Sequence, residues 1–346
     1  MKHITQVVIL FIVFVLSGLT LSAQQRPHYT QYIINNYALN PALTGIENYT
    51  DIKLSHRRQW TGLDGAPVTT YLTWHTPIGK SDYKTSATSF DIEGENPLGK
   101  RYWQEYTASP AHHGIGMQLF NDQIGPFNDF SVYATYAYHM PLGVKTNFSA
   151  GIGAGVGNLS LNNNKLFFGN INPVDPAVAA SGELKKTRFN ARVGLWLYSA
   201  DYFVGLSVLD LLPSKIDFAE NNAARLTEGK WTPHIFTTAG YRFLLSDDIN
   251  LVPSIMVKYV NPVPVQIEGN LKLQYRNDFW IGGTYRHKYG FAGIAGVNVM
   301  NALQLSYSYD YSTTKLNQVS NGSHEIIIGF ILGNKYSGNT CPKNLW

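Results

Sequence analysis

Apolar and polar residues alternate one by one over several long stretches of the chain. Over residues 267–276, apolar or small residues at odd positions alternate with Glu, Asn, Lys, Gln and Arg at even positions. The same period of two recurs over 187–199, 278–288 and 301–312. Because successive side chains of a β-strand point to opposite faces, each stretch predicts a strand with one apolar and one polar face.

Counting such stretches predicts about fourteen antiparallel strands and an all-β fold. An even number is what a closed bacterial barrel requires when both chain ends lie on the periplasmic side. The predicted strands cover residues 50–60, 68–79, 112–122, 128–142, 145–160, 187–199, 201–210, 232–244, 249–261, 264–276, 278–288, 290–299, 301–312 and 322–332.

Composition separates a membrane barrel from a soluble half-buried sheet, which would show the same alternation. Charged residues make up only 14% of the chain, with 22 Tyr and 31 Gly, whereas an average soluble domain has about 25% charged residues. After the N-terminal apolar stretch, no apolar run reaches the roughly 20 residues that a membrane helix needs. Tyr-rich apolar faces opposite a face with charges of both signs therefore favour a transmembrane outer-membrane β-barrel with a polar interior. The predicted interior positions include Arg188, Arg192, Glu268, Lys272, Arg276 and Arg286.

Loop lengths agree with this barrel in all but one place. Periplasmic turns of such barrels are short and outer loops are longer, so the long connections 162–186 and 210–231 are expected outside. The stretch 80–111 follows the second strand, where a short turn is expected. It is interpreted as a probable insertion, with a register error before residue 112 as the alternative.

The two ends of the chain read as separate units. Lys2 and His3 precede an apolar stretch that ends in Leu21-Ser22-Ala23, which predicts a cleavable signal peptide over 1–23 rather than a membrane anchor. Residues 24–49 are expected in the lumen as a plug or in the periplasm, the barrel at 50–332 and a C-terminal tail at 333–346. The single cysteine, Cys341, allows no internal disulfide and leaves a free thiol or a bond to a partner.

The sequence predicts no enzyme and no catalytic, cofactor-binding or metal-binding residues. His112 and His113 are adjacent, so in a strand they face opposite sides and cannot share one metal ion. The run Gly151–Gly157 alternates Gly with apolar residues inside a strand and opens no helix, so it favours close strand packing over phosphate binding. No cluster of Lys and Arg indicates nucleic-acid binding.

Seven blocks of residues, in this order, resemble the PorP/SprF family of the type IX secretion system of Bacteroidota, over about residues 25–332. The blocks are Pro27–Tyr32, Asn36–Gly45, Arg57–Gly62, Pro77–Gly79, Asn121–Pro126, Tyr136–His139 and Gly322–Glu325. The motif positions we single out, for fold maintenance or for partner contact, are Gln31, Tyr32, Asn36, Asn40, Pro41, Ala42, Gly45, Arg58, Gln59, Trp60, Asn121, Asp122, Gly125, Pro126, His324 and Glu325.

The local chemistry of these blocks is that of turns and strand ends. Asn40-Pro41-Ala42 suits a turn and resembles the plug motif of FadL-type transporters, which favours a luminal N-terminal segment. The group Arg57, Arg58 and Trp60 suits either the interior or a membrane interface. Asn121-Asp122 and Gly125-Pro126 together predict an outer hairpin loop.

The resemblance implies a non-enzymatic integral component of the outer membrane, exported through its signal peptide, that works in type IX secretion and, in the SprF branch, in gliding motility. It implies type IX secretion components, or a secreted adhesin with a C-terminal sorting domain, as partners besides the lipid bilayer. The binding surface is expected on the two long outer loops. The alternative is a channel or transporter for small or hydrophobic solutes, which the polar interior also suits.

Overall fold

Fourteen long β-strands account for most of the described part of the chain. The computed structural model describes residues 30–80, 106–162, 165, 183–213, 215–216, 229–246, 248–275, 278–299 and 302–333. In chain order the strands are β1 Thr50–Arg58, β2 Val68–Ile78, β3 His112–Ile124, β4 Phe127–Pro141, β5 Asn147–Asn162, β6 Glu183–Tyr198, β7 Tyr202–Leu209, β8 His234–Tyr241, β9 Ile249–Val260, β10 Val263–Tyr275, β11 Phe279–Arg286, β12 Gly290–Val299, β13 Leu303–Ser312 and β14 Ser323–Leu332.

The sheet closes on itself. Each strand pairs antiparallel with its neighbours in the chain, and β1 pairs with β14 from Thr50↔Leu332 to Arg58↔His324. A two-residue strand, Phe243–Leu244, continues β8 along β9, and a separate short ribbon joins Lys215–Ile216 to Gly229–Lys230. The predicted barrel of fourteen antiparallel strands is therefore confirmed, and closure leaves the ladder without a free edge strand.

The alternation places apolar side chains outside and polar ones inside. In β13, Leu305 and Tyr307 are exposed on the outer face, whereas Ser308 and Asp310 are buried in the lumen. In β10, Ile267 is exposed and Glu268 is buried. A soluble protein would bury the apolar face, so this inverted pattern fits a barrel whose outer face meets hydrocarbon.

Exposed aromatic residues lie near both ends of the strands on the outer face. One group comprises Tyr241, Phe243 and Phe279; the other comprises Tyr259, Tyr285, Phe291, Tyr309 and Tyr311. Such paired aromatic girdles mark the two interfaces of a membrane-spanning barrel.

The two ends of the barrel differ in what they carry. The start of β1 and the end of β14 lie at one end, which we call the terminal end; the opposite one is the loop end. Connections that follow odd-numbered strands lie at the loop end, including those that contain residues 163–182 and 210–233. The ladders from β1 through β3 are continuous, so the register before residue 112 was right and the long β2–β3 connection lies at the terminal end. Its status as an insertion stays a prediction.

The hairpin between β3 and β4 is tighter than predicted. Asn121 and Asp122 were expected in its loop, but they pair with Phe130 and Asp129 inside the ladder, and the turn consists of Gly125 and Pro126. Gly125 adopts φ 55°, which lets two residues reverse the chain. The prediction failed because polar residues of a strand that extends beyond the hydrocarbon resemble those of a loop.

Several predictions fall on residues outside the described ranges. These are the signal peptide 1–23, residues 24–29, most of the stretch 80–111, most of both long outer loops, Arg276, and nearly all of the tail 333–346 with Cys341. In the part of the chain that is described, no helix is long and apolar enough to cross a membrane.

Candidate functional site: the N-terminal segment and the inner wall

Residues Thr30–Tyr49, the N-terminal segment, lie within the barrel. All of their side chains are buried except that of Asn48, which is partly exposed. Short 3-10 helices form at Asn36–Ala38 and Pro41–Leu43. Apolar residues of the segment, such as Tyr32 and Leu43, pack among inward-facing aromatic residues of the wall. The lumen is therefore filled at several levels by the chain itself.

The first residues of the segment meet an ion cluster near the loop end, formed by Arg57, Glu268, Arg286, Asp310 and Glu325. Arg57 donates to Asp310 Oδ2 at 2.5 Å and to Glu325 Oε2 at 3.1 Å, and Arg286 donates to Glu268 Oε2 at 2.6 Å. All five side chains are buried. Charges removed from water in this way are tolerated when they are paired and hydrogen-bonded.

Thr30 and Gln31 complete the hydrogen bonding of this cluster. The Thr30 hydroxyl donates to Asp310 Oδ2 at 2.6 Å and accepts from Arg57 at 2.6 Å. The backbone N–H groups of Thr30 and Gln31 donate to Glu325 Oε2 at 3.1 and 3.4 Å, and the Gln31 amide donates to the Glu325 carbonyl at 2.9 Å. Three carboxylates face two guanidinium groups, so these neutral donors supply hydrogen bonds where positive charge is short.

The middle of the segment is joined to four different strands. Tyr32 accepts from Asn270 at 2.5 Å, and Asn35 donates to Thr73 at 2.9 Å. The Tyr37 hydroxyl lies 2.6 Å from the Thr135 hydroxyl, and Gln118 donates to the Tyr37 carbonyl at 2.5 Å. Contacts to β2, β3, β4 and β10 hold the segment from several sides of the lumen at once.

The Asn40-Pro41-Ala42 turn rests directly on the wall near the terminal end. The Asn40 side chain accepts from Ala42 N at 2.9 Å, which caps the 3-10 helix, and its amide donates to the carbonyls of Leu195 and Leu206. A Cβ on Gly194 would lie 1.9 Å from Asn40 Oδ1, and one on Gly151 would lie 2.4 Å from the Pro41 carbonyl oxygen. Glycine is therefore needed at these wall positions so that the segment can approach.

Three histidines surround the last turn of the segment, around Thr44 and Gly45. His139 Nε2 lies 2.9 Å from the Thr44 carbonyl oxygen, so it donates, and His75 Nδ1 accepts from Gly45 N at 3.2 Å. His112 stacks on His139 with ring centroids 4.5 Å apart. Gly45 itself adopts φ 72°, a conformation that favours glycine. The luminal placement of His112 was predicted, but its stacking partner on β4 was not.

The motif positions divide into three groups in the structure. Gln31, Tyr32, Asn36, Asn40, Pro41, Ala42 and Gly45 belong to the N-terminal segment, and Glu325 belongs to the ion cluster it contacts. A second group, Gln59, Trp60, Gly125 and Pro126, lies in turns at the loop end, where Trp60 Nε1 donates to the Tyr289 hydroxyl at 3.0 Å. The third group comprises Arg58 and His324 on the outer face, and the half-buried Asn121 and Asp122 in β3.

Sequence reasoning missed several residues that hold the segment. Arg57 was considered only as part of a pair of arginines, and Asp310 only as a polar position of its strand. The wall hydroxyls that donate to carbonyls of the segment were not found: Ser149 donates to Ala42 and Ser207 to Leu39. Their one available signal is an inward position in an alternating strand, which most luminal residues share.

A closed antiparallel barrel with an apolar outer face, aromatic girdles at both ends and a polar inner wall defines an integral outer-membrane β-barrel. A family model described as type IX secretion system membrane protein PorP/SprF matches residues 21–330. The chain belongs to this family, and it is thereby an outer-membrane component of type IX secretion, as the resemblance implied.

Solved structures with similar coordinates come from transporters. The toluene transporter TbuX of Ralstonia pickettii has 9% identity and a TM-score of 0.47, covering 91% of this chain and 95% of its own. The toluene transporter TodX of P. putida has 10% identity and a TM-score of 0.46, covering 86% and 94%. A FadL homologue of Pseudomonas aeruginosa has 9% identity and a TM-score of 0.43, covering 88% and 94%. No curated protein matches the sequence.

No metal-binding group of three or more His, Cys, Asp or Glu side chains is found among the described residues. The histidines around Gly45 instead bond to backbone groups of the segment and to one another's neighbours, as in the contact of His139 with the Tyr198 hydroxyl at 3.0 Å. Within the described lumen, the polar side chains hold a peptide segment of the same chain.

Proposed function

We propose that this barrel is a non-enzymatic docking component of the type IX secretion machinery, with a lumen that its own N-terminal segment closes as a plug. The partner is a secreted adhesin with a C-terminal sorting domain, or components of the periplasmic ring. In this role the barrel supplies a rigid, membrane-fixed platform. Transport through the lumen is not part of it.

The observation that carries this proposal is the way the N-terminal segment occupies the lumen. Its residues are bonded at the loop end to Arg57 and Glu325, and at the terminal end to Ser149 and His139. Beside Ile33 and Ile34 a cavity of about 30 Å³ remains, which is room for about two waters. Fourteen strands lie between the eight whose side chains can fill a barrel and the sixteen or more that leave an aqueous channel, so a filler is physically required for closure.

The roots of the long outer loops are firmly held, which suits a docking surface. The Arg188 guanidinium lies 3.5 Å from the centroid of the Trp231 ring and donates to Asp129 at 2.7 Å. These contacts tie the start of β6 to β4 and to the end of the 210–231 loop. Loops on a rigid scaffold commonly carry binding, so we place the partner surface on 162–186 and 210–231.

A channel or transporter is the second candidate, because the inner wall is lined by polar and charged residues such as Lys258, Lys272 and Gln304. Such a lining suits water and solutes once the segment leaves the lumen. The two candidates differ in whether the folded protein conducts ions with its segment in place, and the conductance measurement at the end of the Discussion separates them.

A crosslinked pull-down of the tagged protein from outer membranes tests the docking role, with partners identified by mass spectrometry. We expect enrichment of an adhesin with a sorting domain or of ring components over an unrelated barrel of equal abundance. A variant with residues 166–180 shortened should lose an adhesin partner, whereas Asp64→Asn, at another exposed loop-end position, should retain it. Equal recovery of both partner classes with the unrelated barrel would contradict the proposal.

A further inference from the structure

The N-terminal segment crosses the lumen in a defined direction, from the loop end to the terminal end. Its first described residue, Thr30, bonds to Arg57, the last residue but one of β1, and to Asp310, two residues before the end of β13. Both strands end there at the loop end. Later in the segment, Ala42 bonds to Ser149 near the start of β5, at the terminal end. The chain therefore enters this path at the loop end.

The residues that precede Thr30 are long enough to leave the barrel there. Cleavage after Ala23, as the sequence predicts, leaves residues 24–29 ahead of Thr30. Six residues reach about 20 Å when extended, whereas the two residues that separate Asp310 from the end of its strand span only about 7 Å. The available length thus exceeds the remaining depth.

A return of these residues toward the terminal end is disfavoured by what already occupies the lumen. The segment itself fills the space below Thr30, since Tyr32, Ile33 and Leu39 are all buried against the wall. The cavity of about 30 Å³ beside Ile33 holds far less than a six-residue stretch. The free direction is toward the mouth at the loop end.

We propose that the processed N terminus is displayed at the loop end of the barrel, on the cell surface, although the segment that follows it closes the lumen. The longer connections of outer-membrane barrels face outward, and the long β5–β6 and β7–β8 connections lie at this end. A surface partner that grips the N terminus would hold the outer end of the luminal segment, next to the Arg57 ion cluster. The inference does not depend on the docking role.

Cysteine accessibility in intact cells tests this topology on the full chain. In a Cys341→Ser background, Gln25→Cys is compared with Asp64→Cys in the β1–β2 loop at the loop end and with Lys145→Cys in the β4–β5 turn at the terminal end; both control positions are exposed. Each variant is treated with a membrane-impermeant maleimide before and after the outer membrane is permeabilised. Heat-modifiable migration on gels verifies that each variant forms a barrel.

We expect Gln25→Cys to react in intact cells to within about twofold of Asp64→Cys, with Lys145→Cys reacting only after permeabilisation. Reaction of Gln25→Cys only after permeabilisation, as for Lys145→Cys, would overturn the proposal, since the N terminus would then be periplasmic. Failure of a folded Gln25→Cys barrel to react under either condition would overturn it as well, because the N terminus would then be buried.

Discussion

Arg57 is the residue on which the inner ion cluster depends most directly. Its guanidinium is fully buried and bonds to Asp310, Glu325 and the Thr30 hydroxyl. Three elements that are far apart in the chain, β1, β13 with β14, and the start of the N-terminal segment, meet at this side chain. Loss of its charge would leave two buried carboxylates short of a partner, which is far more costly than loss of an exposed charge.

Arg57→Gln should therefore destabilise the barrel, by about 3–5 kcal/mol in the free energy of unfolding. The neighbouring arginine provides a matched control, because Arg58 lies exposed on the outer face. Arg58→Gln should change the stability by less than about 1 kcal/mol. Denaturant titration of both variants in detergent micelles measures the difference, and equal stabilities would remove the ion cluster from the account.

The sequence could not distinguish these two arginines. The alternation over 50–60 places adjacent residues on opposite faces, but a strand start misjudged by one residue exchanges them. Arg57 and Glu325 become neighbours only when β1 pairs with β14 across the closing seam, and no local pattern specifies that register. The strands themselves were predictable, since apolar-out and polar-in alternation extends over most of their length.

At the scale of elements, the N-terminal segment and the wall are shaped for each other. Gly194 and Gly151 leave the wall bare where the Asn40-Pro41-Ala42 turn rests on it. The sequence indicated both halves of this contact separately, as a turn motif and as a glycine-rich strand. Their apposition could not be predicted, because it joins residues more than 100 positions apart through the interior of a barrel.

Gly194→Ala should loosen the N-terminal segment while the strands stay intact. The new methyl group would overlap Asn40 Oδ1, which now caps the turn and lies over the β6–β7 seam. Hydrogen exchange measured by mass spectrometry should show at least tenfold faster exchange of the amides in 36–45 than in the wild type, with β10–β12 unchanged.

Gly283→Ala is the matched control, since a Cβ there meets nothing within 4 Å. It should leave exchange of residues 36–45 at the wild-type rate. Equal effects of both substitutions would indicate a general loss of strand stability, and the direct contact between wall and segment would not be supported.

At the scale of the whole molecule, the barrel is a platform closed from within. Fourteen strands enclose more space than their own side chains fill, and the N-terminal segment occupies it with bonds to strands on several sides of the wall. A closed barrel keeps the outer membrane sealed while its loops and its two ends remain available to other proteins. The membership in a secretion family is consistent with this arrangement.

Single-channel conductance in a planar bilayer tests this closed-barrel account most directly. The full-length mature protein should show no sustained conductance above background, whereas a variant that lacks residues 30–46 should open stable steps, because its lumen loses its filler. A variant that lacks residues 335–346 serves as the control and should stay closed. Sustained conductance of the full-length protein, equal to that of the variant without the segment, would contradict the account and favour a transporter.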